Sequence, residues 1–144
     1  MQSNLPTAVT AELSLRMVVD SDRTVEVPCS LEYCIEDPYA IRATFRTGLA
    51  DIEWMFGRDL LLEGLQRPSG EGDVVIWPEY QGSSPLVLIA LSSPTGQAVL
   101  ECDRAHIELF MRRTFDIVPV GQESASVGID AAIDAILREG VSGV

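Results

Sequence analysis

The segment TAVTAELSLRMVV, residues 7–19, decides the fold class because its apolar and polar side chains alternate. Every second side chain from Ala11 onward is apolar, which is the period of a strand with one buried face. The alternation resumes over residues 24–35 after a short polar turn. Pro28 lies inside this second stretch, which predicts one interrupted strand or two short ones. The chain is therefore expected to open with antiparallel strands.

The elements that follow this opening are predicted from period, turn residues and helix caps. In chain order they are strands at 40–47 and 52–56, a short helix at 57–66, strands at 73–77, 86–91 and 97–101, a helix from the N-cap Asp103 to Pro119, and a helix at about 126–139. Four strands, a helix, three strands and two helices predict an α+β fold with about seven antiparallel strands in two sheets and about three helices. A length of 144 residues fits one domain, with its core at about 7–123.

The last predicted helix, at about 126–139, has an apolar stripe at helical spacing. Its members are Ile129, Ile133, Ile136 and Leu137. Such a stripe packs either on the chain's own sheet or on another subunit, and the first alternative is favoured.

The charge is strongly negative, with 22 acidic residues against 10 basic ones and a net charge of −12. All ten basic residues are arginine, which excludes Schiff-base enzymes and the phosphate-binding loop that needs a lysine. A net negative protein is also a poor ligand for nucleic acid and for anionic membranes. No stretch reaches the roughly 18 apolar residues of a membrane span, and no signal segment opens the chain. A cytoplasmic protein is expected.

Catalytic and metal-binding patterns are weak. Cys29, Cys34, Cys102 and His106 do not have the spacing of a zinc site, so three unconnected structural thiols are expected. The carboxylates are scattered, so a hydrolase or lyase that uses them ranks last among the candidate functions. The sequence predicts a protein without catalytic activity, metal or cofactor.

The arginines are the candidate binding residues. Arg42 and Arg46 are predicted on one face of a strand, Arg58 at the exposed start of the short helix, and Arg112 and Arg113 near the end of a later helix. We expect them to pair with carboxylates of this chain or of a partner. An alternative is that Arg42, Arg46 and Arg58 follow a nucleic-acid backbone.

Trp54 is predicted as a core residue. Ile52, Trp54 and Phe56 share one face of the fourth strand, and the helix at 57–66 must fold back over a sheet. The simplest packing places the Trp54 indole under that helix. Arg58, by contrast, is expected to be replaceable by alanine with little loss of stability.

Several segments together resemble a known family. They are DPYAIRATF (37–45), EWMFGRDLL (53–61), EGL (63–65), residues 70–75, ALSSPTGQA (90–98), FMRRT (110–114) and VPVGQE (118–123). In this order they are similar to the SsgA-like family of actinobacterial sporulation and cell-division proteins, and within it to the SsgB type.

The resemblance implies a non-catalytic adaptor. Members of the SsgB type help to localise the tubulin-like division GTPase FtsZ at sporulation septa, together with an SsgA-type protein. The family also implies a trimer and a whirly-like fold, which occurs in some single-stranded nucleic-acid-binding proteins. A nucleic-acid-binding function on this scaffold is therefore the alternative, although the charge of −12 argues against it.

Overall fold

The computed structural model describes residues 7–126, and in this part of the chain seven antiparallel strands form one sheet. The elements are β1 (Ala8–Asp20), β2 (Arg23–Cys34), β3 (Ala40–Arg46), β4 (Asp51–Gly57), α1 (Arg58–Gly64), β5 (Val74–Gln81), β6 (Ser84–Ser93), β7 (Gly96–Asp103), α2 (Arg104–Ile117) and α3 (Glu123–Ser126). The α+β class, the seven strands and their order along the chain are as predicted.

The predicted division into two sheets is wrong. The strand order is β4-β3-β2-β1-β7-β6-β5, so the meander β1–β4 and the meander β5–β7 are parts of one sheet. They are joined by two residue pairs, Arg16 with Glu101 and Met17 with Leu100. β1 is 13 residues long, and its second half reaches β7 while it also pairs with β2.

Pro28 does not interrupt β2. The register between β1 and β2 is continuous from Ala8 opposite Cys34 to Val18 opposite Thr24. β3 pairs with β2 only from Cys29 to Glu32, so Pro28 lies just beyond that ladder. Its missing N–H therefore costs no hydrogen bond to β3.

The third helix is a single turn, Glu123–Ser126. The helix predicted at about 126–139, with Ile129, Ile133, Ile136 and Leu137, lies outside the described residues. Over residues 7–126, no helix is both long and apolar enough to cross a membrane.

The sheet is strongly curved. Ile52 of β4 and Leu91 of β6 border the same cavity, although four strands lie between β4 and β6 in the sheet order. The apolar residues selected by the alternation face the inside of this curve, and α2 packs there against β1, β6 and β7. The concave side of the sheet therefore holds the hydrophobic core.

Candidate functional site

An apolar groove occupies the part of the concave side that α2 leaves open. It encloses about 510 Å³ and lies between β4 on one side and the ends of β6 and β7 on the other. Its apolar lining residues are Met17, Val25, Val27, Phe45, Ile52, Trp54, Leu91, Ala98 and Leu100. None of the residues that line it belongs to α2. We call this feature the sheet groove.

The sheet groove leaves large apolar side chains in contact with solvent. Ile52 is 45% exposed and Val25 is 50% exposed, whereas Phe45 and Leu100 at the bottom are buried. A contiguous apolar surface of this kind is typical of a protein-binding site. The sheet groove therefore has the shape and the chemistry of a protein-binding site.

Trp54 lines the sheet groove, which corrects the prediction that α1 covers it. The residue is half-buried, and it packs on the edge of the hydrophobic core beside Ile52 and Phe45. The predicted shared face of Ile52, Trp54 and Phe56 is confirmed, because all three pair with inward-facing residues of β3. The indole is thus placed to contact a ligand as well as the core.

Unpaired carboxylates lie on the strands that border the sheet groove. Glu26 lines the groove, Asp51 precedes Ile52 on β4 with its side chain on the convex side, and Asp22 lies in the turn that leads into β2. None of the three carboxylates has an ion-pair partner among the described residues. Their neighbours Arg23 and Arg46 are already paired, with Asp20 at 3.0 Å and with Glu12 at 3.2 Å. The border of the groove therefore favours a cationic ligand.

Arg42 and Arg46 lie together on the convex side, as predicted, and both are paired with carboxylates. The Arg42 guanidinium is 3.1 Å from Glu32 and 3.6 Å from Glu53. Arg46 also donates a hydrogen bond to the Ser30 hydroxyl. These cations balance carboxylates of their own chain, so the face they share is not a positive track.

Arg58 is buried, so the prediction that it lies at the surface is wrong. Only 1% of its surface is exposed. Its Nη1 donates to the backbone oxygens of Thr114 at 3.2 Å and Val118 at 2.7 Å, and its Nη2 donates to Oε2 of Glu123 at 2.8 Å. A residue at the start of α1 thus holds the C-terminal end of α2, where the carbonyl groups have no partner within the helix.

Two aromatic rings enclose the same guanidinium. Cζ of Arg58 is 4.7 Å from the centre of the Tyr33 ring and 4.5 Å from the centre of the Phe115 ring. Cation–π contacts are strongest when water is excluded, as it is here. Arg58 is therefore a structural residue and is inaccessible to a partner.

Arg112 and Arg113 are exposed near the end of α2. Arg113 donates to the backbone oxygen of Thr10 at 3.1 Å, and no described residue forms an ion pair with Arg112. Neither lines the sheet groove. A role for these two residues in partner binding stays a prediction.

The buried ion pair predicts a loss of stability in acid. The hydrogen bond from Arg58 lowers the pKa of Glu123 below its ordinary value of 4.5. A carboxylate with a lowered folded-state pKa stabilises the fold above its unfolded pKa, and this contribution is lost as the pH falls through the folded value. We expect the melting temperature of the wild type to fall below about pH 4.5 more steeply than that of Glu123→Gln. Equal decreases in the melting temperatures of the two proteins across the acid range would contradict this assignment.

The three cysteines are unpaired, as predicted. Burial raises the pKa of Cys29 to about 12 and that of Cys102 to about 11, so both remain protonated at neutral pH. Over residues 7–126, no group of three or more histidine, cysteine or carboxylate side chains is arranged to hold a metal ion. The sheet groove is thus an apolar surface that remains open in the described part of the chain.

Comparison with known proteins gives a consistent result. The model of the family described as "Streptomyces sporulation and cell division protein, SsgA" matches residues 27–123. The sporulation-specific cell division protein SsgB of Streptomyces coelicolor is 47% identical over 134 residues, which covers 92% of this chain and 98% of that protein. SsgB of Thermobifida fusca is 45% identical over 132 residues, which covers 91% and 96%.

Solved structures agree with the sequence comparisons. The crystal structure of the SsgA-like sporulation-specific cell division protein of Thermobifida fusca superposes with a TM-score of 0.81 at 44% identity, covering 94% of this chain and 98% of that one. A structure from work on SsgB mutations and longitudinal cell division during sporulation of Streptomyces coelicolor also gives 0.81, at 48% identity, covering 87% and 99%.

Proposed function

This chain belongs to the SsgA-like family, SsgB type, and from that premise we propose that it is a non-catalytic adaptor in sporulation-specific cell division. The observation that carries the proposal is the extent of the match. Relatives named as SsgB align over about nine-tenths of the chain and over nearly all of their own length. The protein therefore has the same fold and a similar size as proteins that are named for cell division during sporulation.

The proposed partner is the tubulin-like division GTPase FtsZ, which the adaptor helps to bring to septa in the cytoplasm together with an SsgA-type protein. Two observations support a role in protein binding. The sheet groove is open and apolar, and two of its apolar lining residues, Ile52 and Val25, are about half exposed.

The arginine contacts favour a protein partner over a single-stranded nucleic acid. Arg42 and Arg46 are neutralised by neighbouring carboxylates, and Arg58 is buried. These three residues motivated the nucleic-acid alternative, and in the structure none of them is free to contact a phosphate.

Complementation tests the proposed role. In a Streptomyces coelicolor strain that lacks its own SsgB, expression of this chain should restore sporulation septa and ladders of fluorescent FtsZ. The strain's own gene is the positive control, and immunoblotting confirms that the protein is present. Normal protein levels without septa or FtsZ ladders would contradict the proposal.

We also expect a homotrimer. Within residues 7–126, nine large apolar residues are substantially exposed, among them Val25, Met55, Tyr80 and Leu109. Association would remove part of this surface from water. Light scattering at micromolar concentration should therefore return a mass of about three times the 15.7 kDa chain. A particle with the mass of one chain would contradict the expectation.

A further inference from the structure

The sheet has two edge strands, and they differ in how far they are protected. β5 carries Pro78 and forms a bridge from Ile76 to Ser69 on its outer side. β4 has neither a proline nor such a bridge, and its outer edge pairs with no strand among the described residues. An unprotected edge is a template for a further strand.

β4 also borders the sheet groove, and its two faces differ in chemistry. Ile52 and Trp54 point into the groove, whereas Asp51 and Glu53 point to the convex side. A strand added beside β4 would direct every second side chain into the groove and the others toward the carboxylates. The best match is a segment in which apolar residues alternate with lysine or arginine.

We propose that the sheet groove and the β4 edge together bind an extended segment of a partner protein in which apolar and basic residues alternate. Its apolar side chains fill the groove beside Trp54, and its basic side chains face Asp51 and Glu53 on the convex side of β4. The identity of this partner as a division protein rests on the proposed function, but the chemistry of the site does not.

Charge distinguishes the proposed basic segment from two other possible occupants of the groove, the chain's own C-terminal segment and a second copy of the protein. The chain's own segment 127–144 has the acidic residues Asp130, Asp134 and Glu139 against a single Arg138. A second copy of the protein carries a net charge of −12. Either would bring further negative charge to a border that already carries the unpaired carboxylates Glu26 and Asp51, whereas a basic segment would neutralise them.

A synthetic peptide of about nine residues that alternates valine and lysine is the probe. The protein has two tryptophans, and Trp77 lies on β5 away from the groove. The full-length variant Trp77→Phe therefore reports on Trp54 alone. Binding of the peptide should shift the Trp54 emission to shorter wavelength, because the indole loses contact with water. Raised salt should weaken this binding.

Two variants of β4 form a matched pair. Ile52 and Met55 are 45% and 48% exposed, but they lie on opposite faces of the strand. Ile52→Gln puts a polar amide where the proposal places apolar side chains and should weaken peptide binding about tenfold. Met55→Gln makes a similar change on the convex side without adding a charge near the lysines of the peptide, and it should change binding less than about twofold. Melting curves verify that both variants are folded.

Four results would overturn the proposal. They are equal binding of a peptide in which glutamate replaces lysine, unchanged binding to Ile52→Gln, dissociation of a native oligomer by Ile52→Gln but not by Met55→Gln, and tighter peptide binding in full-length Ile133→Asp. The third result would assign the groove to a second copy, and the fourth to the chain's own C-terminal segment.

Binding of the peptide and binding of FtsZ are separate measurements, and either can fail without the other. If the protein binds FtsZ but not the peptide, the assignment of the groove is wrong and the adaptor function stands. If it binds the peptide through Ile52 but does not bind FtsZ, the groove assignment stands with a different partner.

Discussion

Arg58→Ala should lower the free energy of unfolding by about 3–5 kcal/mol. The substitution leaves the Glu123 carboxylate buried without its cation, and it removes the donors to Thr114 and Val118 at the end of α2. Removing one partner of a buried ion pair costs far more free energy than removing one partner of an exposed pair. The remaining buried charge is shielded from the water that would otherwise stabilise it. Chemical denaturation of the purified variant measures the effect.

Arg112→Ala is the matched control, because it removes the same side chain from an exposed position on α2. Its effect should stay within about 0.5 kcal/mol. Equal and small losses in the two variants would show that the Arg58 network does not hold the helices together.

Gly64→Ala should lower the free energy of unfolding by about 2–3 kcal/mol through overpacking. A Cβ at residue 64 would lie 2.4 Å from Cγ2 and 2.6 Å from Cβ of Ile76. Ile76 is fully buried, and two backbone hydrogen bonds with Ser69 fix its position, so it cannot move aside easily. Denaturation curves measure the loss.

Gly72→Ala is the control for this site, since a Cβ there meets no atom within 4 Å. It should change the stability by less than about 0.5 kcal/mol. A Gly64→Ala protein as stable as the wild type would contradict the close packing of α1 on β5.

The strands and α2 were predictable because each has a complete local signal. β1 alternates from Val9 to Met17, and α2 ends shortly before Pro119. Burial of one face produces the alternation of a strand and the three- and four-residue spacing of a helix. Both can be recognised without knowing which element packs against that face. The union of the two meanders was not predictable, because it depends on two residue pairs between β1 and β7, which leave no pattern in the sequence.

Arg58 shows a second limit of sequence reasoning. A charged residue at the start of a short helix is usually exposed, and its ion-pair partner Glu123 lies 65 positions away. Tyr33 and Phe115, which enclose it, come from two further elements. Such a network exists only after the strands and helices have assembled.

The sheet groove was missed for a related reason. The apolar alternation of β4 correctly placed Ile52, Trp54 and Phe56 on one face, but the pattern does not say how much of that face α2 covers. Curvature of the sheet and the length of α2 decide this, and they leave the half that contains Ile52 and Val25 open. The available signal for the groove was the presence of apolar residues near the starts of β2 and β4, namely Val25 and Ile52.

Co-sedimentation with FtsZ polymers tests the adaptor function most directly. FtsZ is assembled with GTP and pelleted in the presence of the full-length protein, with unassembled FtsZ as the control. We expect the protein to appear in the pellet in proportion to FtsZ polymer and to saturate. A protein that remains in the supernatant at every FtsZ concentration, while it is folded by its melting curve, would contradict direct recruitment of FtsZ.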